Sequence, residues 1–244
     1  MTKALLELQG VHTHIGSYHI LHGVDLVVPT GEVTMLLGRN GAGKTTTLRT
    51  VMGLWKASQG DLSFDCSAMP AATPDIAQLG IAYVPENMGI FSDLSVRDNM
   101  LLAARSARSL KQMDTQRLEW LFGLFPAIQK FWLAPAGKLS GGQKQMLAIA
   151  RAMVEPRRLL LIDEPSKGLA PAMVQNLIAA LRELKATQTT VLLVEQNFAM
   201  ASALGDHVAV MDNGRVVHAG VMRELVEDAA LQQKYLGLSL EAHA

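Results

Sequence analysis

GEVTMLLGRNGAGKTTTLRTVMG, residues 31–53, decides the fold. Its first seven residues, GEVTMLL, are rich in apolar and β-branched side chains and read as a strand. GRNGAGKT (38–45) follows at once and has the form Gly, four residues, Gly-Lys-Thr. From Thr45 the chain reads as a helix that Gly53 stops. A glycine loop that leaves a strand and opens a helix is the context of a phosphate-binding loop. Glycines let backbone N–H groups approach the phosphates, and the helix N-terminus favours their negative charge. Lys44 is then expected to reach the β- and γ-phosphates, and the Thr45 hydroxyl to ligate Mg²⁺.

Outward from this loop, short apolar runs alternate with helical patterns. LLELQ (5–9), VDLVV (24–28), IAYVP (81–85), RLLLID (158–163) and TTVLLVE (189–195) suit strands. PAMVQNLIAALREL (171–184) and NFAMASAL (197–204) suit helices, and HVAVMD with GRVVHAG predicts a hairpin across Asn213-Gly214. Buried strands alternating with helices imply an α/β fold with a parallel sheet covered on both faces. From about 95 to 138 the pattern is purely helical, in SVRDNMLLAARSAR and DTQRLEWLFGLFPAIQKF, and reads as an insertion. Trp120, Leu121, Phe122 and Phe125 within it are expected to pack internally.

LLLIDEP (159–165) complements the glycine loop. Four apolar residues bury the strand and bring Asp163 to its carboxyl end, where α/β sheets place ligands. Asp163 is placed to hold Mg²⁺, and Glu164 to orient or deprotonate an attacking water. VLLVEQN likewise ends a strand on polar side chains, Glu195, Gln196 and Asn197.

The 244 residues can bury a sizeable core. Formal net charge is zero, so no general attraction to nucleic acid or anionic lipid is indicated. Cys66 is the sole cysteine, which excludes an intrachain disulfide; it is expected to be a buried or half-buried residue without reactive character. MTKALLELQG lacks the apolar stretch of a signal peptide, and no run approaches the ~18–20 apolar residues of a membrane span. A soluble, cytoplasmic chain is expected. HTHIGSYHILH (12–22) carries four histidines with no cysteine or acidic residue among them, and reads as a polar surface loop rather than a metal site.

LSGGQKQ (139–145), in its order between the glycine loop and LLLIDEP, resembles the signature motif of ABC-type ATPases. The resemblance implies a P-loop NTPase fold of the ABC nucleotide-binding kind, in one domain over 1–244. Its expected parts are a RecA-like mostly parallel sheet core, an N-terminal antiparallel β subdomain and an inserted α-helical subdomain at about 88–155. It implies ATP and Mg²⁺ as cofactors. Gly38, Arg39, Asn40, Gly41, Ala42, Gly43, Lys44, Thr45 and Thr46 would bind the ATP, with Tyr18 stacked on adenine. Leu139, Ser140, Gly141, Gly142 and Gln143 would bind the ATP of an opposing subunit, and PSKGLAP (165–171) would contact that subunit. Glu164, Lys44, Gln196 and Glu86 would serve catalysis, and Thr45, Asp163 and Glu86 the metal.

Two positions depart from the common pattern. Glu86 in YVPENMGIF stands where most ABC ATPases carry a glutamine, and Gln196 where most carry a γ-phosphate histidine. With RNGAGKTTTLRT and DEPSKGLAP, these closely resemble LivF-type ATP-binding subunits of branched-chain amino acid importers. A glutamine donates a hydrogen bond but carries no charge, so a weaker, pH-insensitive phosphate contact is expected, with a paired site carrying more of the hydrolysis. The implied partners are a second related ATPase or a second copy, two membrane permease subunits and, indirectly, a substrate-binding protein, but no nucleic acid. The implied location is peripheral, on the inner face of the plasma membrane. Two alternatives stay open: an ATP-binding regulatory subunit with little hydrolysis, and a soluble non-transport ABC ATPase.

Overall fold

The computed structural model describes residues 3–105, 107 and 109–237. β1 (Ala4–Ile15) and β2 (Tyr18–Pro29) form a hairpin, and β3 (Val33–Leu37) runs through the glycine loop into α1 (Lys44–Val51). β4 (Ala57–Phe64), β5 (Ser67–Ala68), α2 (Thr73–Gln78) and β6 (Ile81–Val84) follow. Next come the helices α3 (Val96–Ala103), α4 (Thr115–Leu124), α5 (Pro126–Lys130) and α6 (Gly141–Ala152). The remainder alternates: β7 (Leu159–Asp163), α7 (Pro171–Ala186), β8 (Thr190–Val194), α8 (Phe198–Leu204), β9 (His207–Asp212), β10 (Arg215–Val221), α9 (Met222–Glu227) and α10 (Ala229–Leu236). Ser106 and Arg108, at the end of the first predicted insert helix, lie outside the described residues.

Two sheets result. One is antiparallel, in the order β2-β1-β4-β5; the other has the order β10-β9-β3-β8-β7-β6, and only its β9–β10 pair is antiparallel. Each central strand divides its apolar residues between two cores. Met35, Leu160, Ile162, Val191 and Leu193 face a core shared with the helices. Leu36, Leu159, Leu161, Leu192 and Val194 face a second core shared with the antiparallel sheet. A strand buried on both faces must be apolar at every position, which is why these runs show no alternation.

The hairpin corrects the reading of HTHIGSYHILH as a loop. β1 and β2 extend through it to a turn at Gly16 and Ser17, pairing His12 with His22 and His14 with His19. Val11, Thr13 and Leu21 are buried on its inner face, while the imidazoles stack outside; the His14 and His19 rings are 4.1 Å apart. Cys66 is exposed rather than buried, because it occupies the tight β4–β5 turn at φ 63°. β4 left no strand signal, since QGD at its centre is exposed and weakly β-forming. In the insert, Leu121 and Phe125 are fully buried, with Trp120 and Phe122 packed half-buried against them.

Candidate nucleotide site

The loop after β3 is shaped by glycines that no other residue could replace. Gly38 has φ 145°, and a Cβ there would lie 2.3 Å from the Met211 carbonyl oxygen. Gly43 caps α1 at φ 105°, with Leu21 Cδ2 2.9 Å from where a Cβ would stand. The close approach of β9 and β2 therefore holds the loop tight beneath the start of α1. Thr45 and Thr46 stand in the first turn of that helix. Ala42 is buried beneath the loop.

Lys44 is 4% exposed, and its Nζ donates to the carbonyls of Gly38 at 2.8 Å and Arg39 at 3.0 Å. It also stands 3.4 Å from Glu164 Oε1. The Thr45 hydroxyl donates to Asp163 Oδ1 at 3.0 Å, joining α1 to the end of β7. Asp163 is fully buried and accepts at Oδ2 from the Tyr83 hydroxyl of β6, at 3.1 Å. Burial raises the Asp163 carboxyl above the ordinary carboxylate range, and the Thr45 and Tyr83 hydrogen bonds only partly offset this. Burial, reinforced by the neighbouring Asp163, pushes the Tyr83 phenol up to about 12.

Glu164 follows at φ 45°, a left-handed conformation that non-glycine residues adopt at a cost, often at functional sites. Its side chain is held from three sides. Lys44 faces Oε1, Lys167 Nζ stands 3.7 Å from Oε2, and Gln196 Nε2 donates to Oε1 at 2.7 Å. The same Gln196 nitrogen donates to Asn40 Oδ1 at 2.7 Å, so both of its hydrogens are engaged. Lys167 Nζ also binds Glu86 Oε1 at 2.5 Å. Asn40, Gly41, Gly43, Lys44, Thr45, Thr46, Glu86, Glu164, Lys167 and Ile20 line one open pocket of about 360 Å³.

The remaining expected residues lie elsewhere. Gly38, Arg39 and Gln196 line a second pocket of about 140 Å³, closed in part by Leu236 of α10. Tyr18 is 74% exposed at the start of β2 and does not line the larger pocket; Ile20 does. Ser140 caps α6 in a reciprocal pair: its Oγ accepts from Gln143 N, and its own N–H donates to Gln143 Oε1 at 2.9 Å. A Cβ on Gly142 would meet Met173 at 2.5 Å, so α6 and α7 are in close contact there. Leu139 is buried and Gly141 exposed. None of Leu139–Gln143 lines the phosphate-loop pocket.

Two residues without an assigned role in the nucleotide pocket emerge as parts of this site. Glu195 is nearly fully buried and accepts from Ser166 N and Oγ, Gln196 N and Asn197 N, at 2.9–3.1 Å. It pins the loop after β7 to the end of β8, and so sets where Glu164 and Gln196 stand. Its place at a polar strand end was a readable signal. Lys167 has no such signal: Glu164 lies three residues before it, but its nearer partner, Glu86, comes from the distant segment after β6.

Comparison with known proteins agrees with this geometry. The profile of the ABC transporter family matches residues 21–167. The chain is 36% identical over 236 residues to a high-affinity branched-chain amino acid transport ATP-binding protein, BraG, of Pseudomonas aeruginosa, covering 96% of this chain and 100% of that one. It is 32% identical to a probable branched-chain amino acid transport ATP-binding protein, LivF, of Archaeoglobus fulgidus, covering 90% and 93%. Among solved structures it is similar to the ADP conformation of an ATP-binding cassette of an ABC transporter, with TM-score 0.79 and 26% identity over 97% of this chain and 100% of that one. The matched span includes the glycine-shaped loop and the strand end at Asp163 and Glu164: the chain belongs to the ABC transporter family, whose cassettes hydrolyse ATP to power transport.

Proposed function

We propose that this chain is the ATP-hydrolysing subunit of an importer of branched-chain or related amino acids, held at the inner face of the plasma membrane by permease subunits. The carrying observation is that Lys44, Thr45 and Glu164 line one pocket, with Asp163 buried behind it and bonded to the Thr45 hydroxyl. The names of the BraG and LivF relatives support the cargo. No helix among the described residues is long and apolar enough to cross a membrane.

Loop N–H groups and the N-terminus of α1 would receive the phosphates, with Lys44 exchanging its carbonyl partners for phosphate oxygens. The donor set fits Mg²⁺: a buried carboxylate beside a hydroxyl offers hard oxygens, and a cation there would stabilise the ionised Asp163 that burial disfavours. Thr45 and Asp163 would hold it, with Glu86 on the outer side; when bound it would neutralise charge on the phosphate oxygens. Glu164 would accept the proton of the attacking water, steadied by Gln196. Leu139–Gln143 would cover the ATP of a second cassette, and the helices within 88–155 would dock on the permeases. A regulatory subunit with low hydrolysis is the second reading, favoured by the three groups that already occupy Glu164.

The test is the assembled transporter in lipid vesicles, measuring ATP hydrolysis and uptake of labelled leucine. Glu164→Gln should reduce both by about 10²–10⁴-fold, the range of a lost general base, while ATP binding persists. Undiminished hydrolysis in that variant overturns the catalytic assignment and favours the regulatory reading. Hydrolysis that is stimulated by another solute but not by leucine overturns the cargo.

A further inference from the structure

The loop between β7 and α7 is anchored rigidly by the bonds of Ser166 N and Oγ to the buried Glu195 carboxylate. The next residue, Lys167, is thereby directed into the phosphate-loop pocket. Its ammonium binds Glu86 Oε1 at 2.5 Å and stands 3.7 Å from Glu164 Oε2. The two carboxylates come from segments far apart in sequence, the stretch after β6 and the end of β7. Among the described residues, Lys167 is the one cation paired with both. Lys44, the other lysine of the pocket, reaches Glu164 alone.

With Lys167 56% exposed, this contact adds little to fold stability. Its consequence lies in the pocket, which both Glu86 and Glu164 line. A carboxylate that holds an ammonium at hydrogen-bond distance must release it before it can serve a divalent cation. We propose that Lys167 is a built-in counter-cation of the nucleotide pocket, competing with divalent metal for Glu86 and so setting how much metal the chain needs to hold ATP. This rests on the reading of the pocket as a Mg²⁺–ATP site. Lys167 spans Glu86 and Glu164 before nucleotide arrives, and it lets go of Glu86 as metal and nucleotide enter together.

The test is a titration of Mg²⁺ into the full chain at fixed ATP carrying a ribose-linked fluorophore, reading anisotropy rather than turnover. Lys167→Met, with Lys167→Gln as a second neutral variant, should lower the Mg²⁺ concentration for half-maximal nucleotide binding by about two- to fivefold. In a Glu86→Gln background the same change should shift it far less, because the competed carboxylate is gone. An unchanged midpoint in both neutral variants overturns the proposal. So does an equal shift in the two backgrounds, which would mean a general field effect rather than competition for Glu86. A wild-type chain that binds no nucleotide at any Mg²⁺ concentration instead overturns the reading of the pocket itself.

Discussion

At the scale of single residues, the site holds charge where water is scarce. The buried Asp163 carboxyl has its proton affinity raised by burial, and two hydroxyl donors offset this only in part. Between the ordinary carboxylate value and the higher folded one, the folded chain binds more protons than the unfolded chain. Stability from this group is therefore full at acid pH and is lost as pH rises through the folded value. Asp163→Asn should raise the melting temperature of the nucleotide-free chain at pH 7, by roughly 2–4 °C for each kcal/mol removed, and the gain should shrink toward pH 4. Calorimetry at both pH values checks this, and a lower melting temperature at pH 7 would show that Asn breaks the Thr45–Tyr83 bridge instead. Gln196 shows how far a single residue was readable. Its polarity at a strand end marked a site, but its hold on both Glu164 and Asn40 needed two other chain segments in place.

At the scale of elements, α6 separates stability from chemistry. Its N-terminus is closed by Ser140 and Gln143 in a capping box, whose loss costs about 0.5–2 kcal/mol. Ser140→Ala should lower stability by that amount in denaturant unfolding. Ser140→Asp should keep it, since aspartate caps as well as serine, yet abolish ATP hydrolysis by placing a negative charge where the opposing phosphate is proposed to lie. If Ser140→Asp hydrolyses ATP normally, the signature helix does not meet a phosphate. The helices of the insert were legible because apolar positions three and four apart survive any context; β4 was not, because an exposed polar strand beside β1 takes its order from its neighbour.

At the scale of the whole molecule, the phosphate-loop pocket is open, and none of Leu139–Gln143 reaches it. A chain that needs a second cassette to complete its site should show specific ATPase activity that climbs with protein concentration and then levels off. Constant specific activity through serial dilution would mean that one chain is complete.

By itself the sequence determined the α/β class, the glycine loop that leaves a strand and opens a helix, and the strand end at Asp163 and Glu164, because each depends on neighbours a few residues away: apolar periodicity and glycine spacing. The four-histidine segment is on the surface as read but is a paired hairpin rather than a loop, and Cys66 is exposed rather than buried, since strand pairing and turn geometry decide these. Only the tertiary structure decided that Lys167 bridges Glu86 and Glu164 and that Glu195 anchors their loop. Contacts between residues distant along the chain are set by how the strands of the larger sheet are ordered and how the two sheets pack on one core, and no local pattern encodes that.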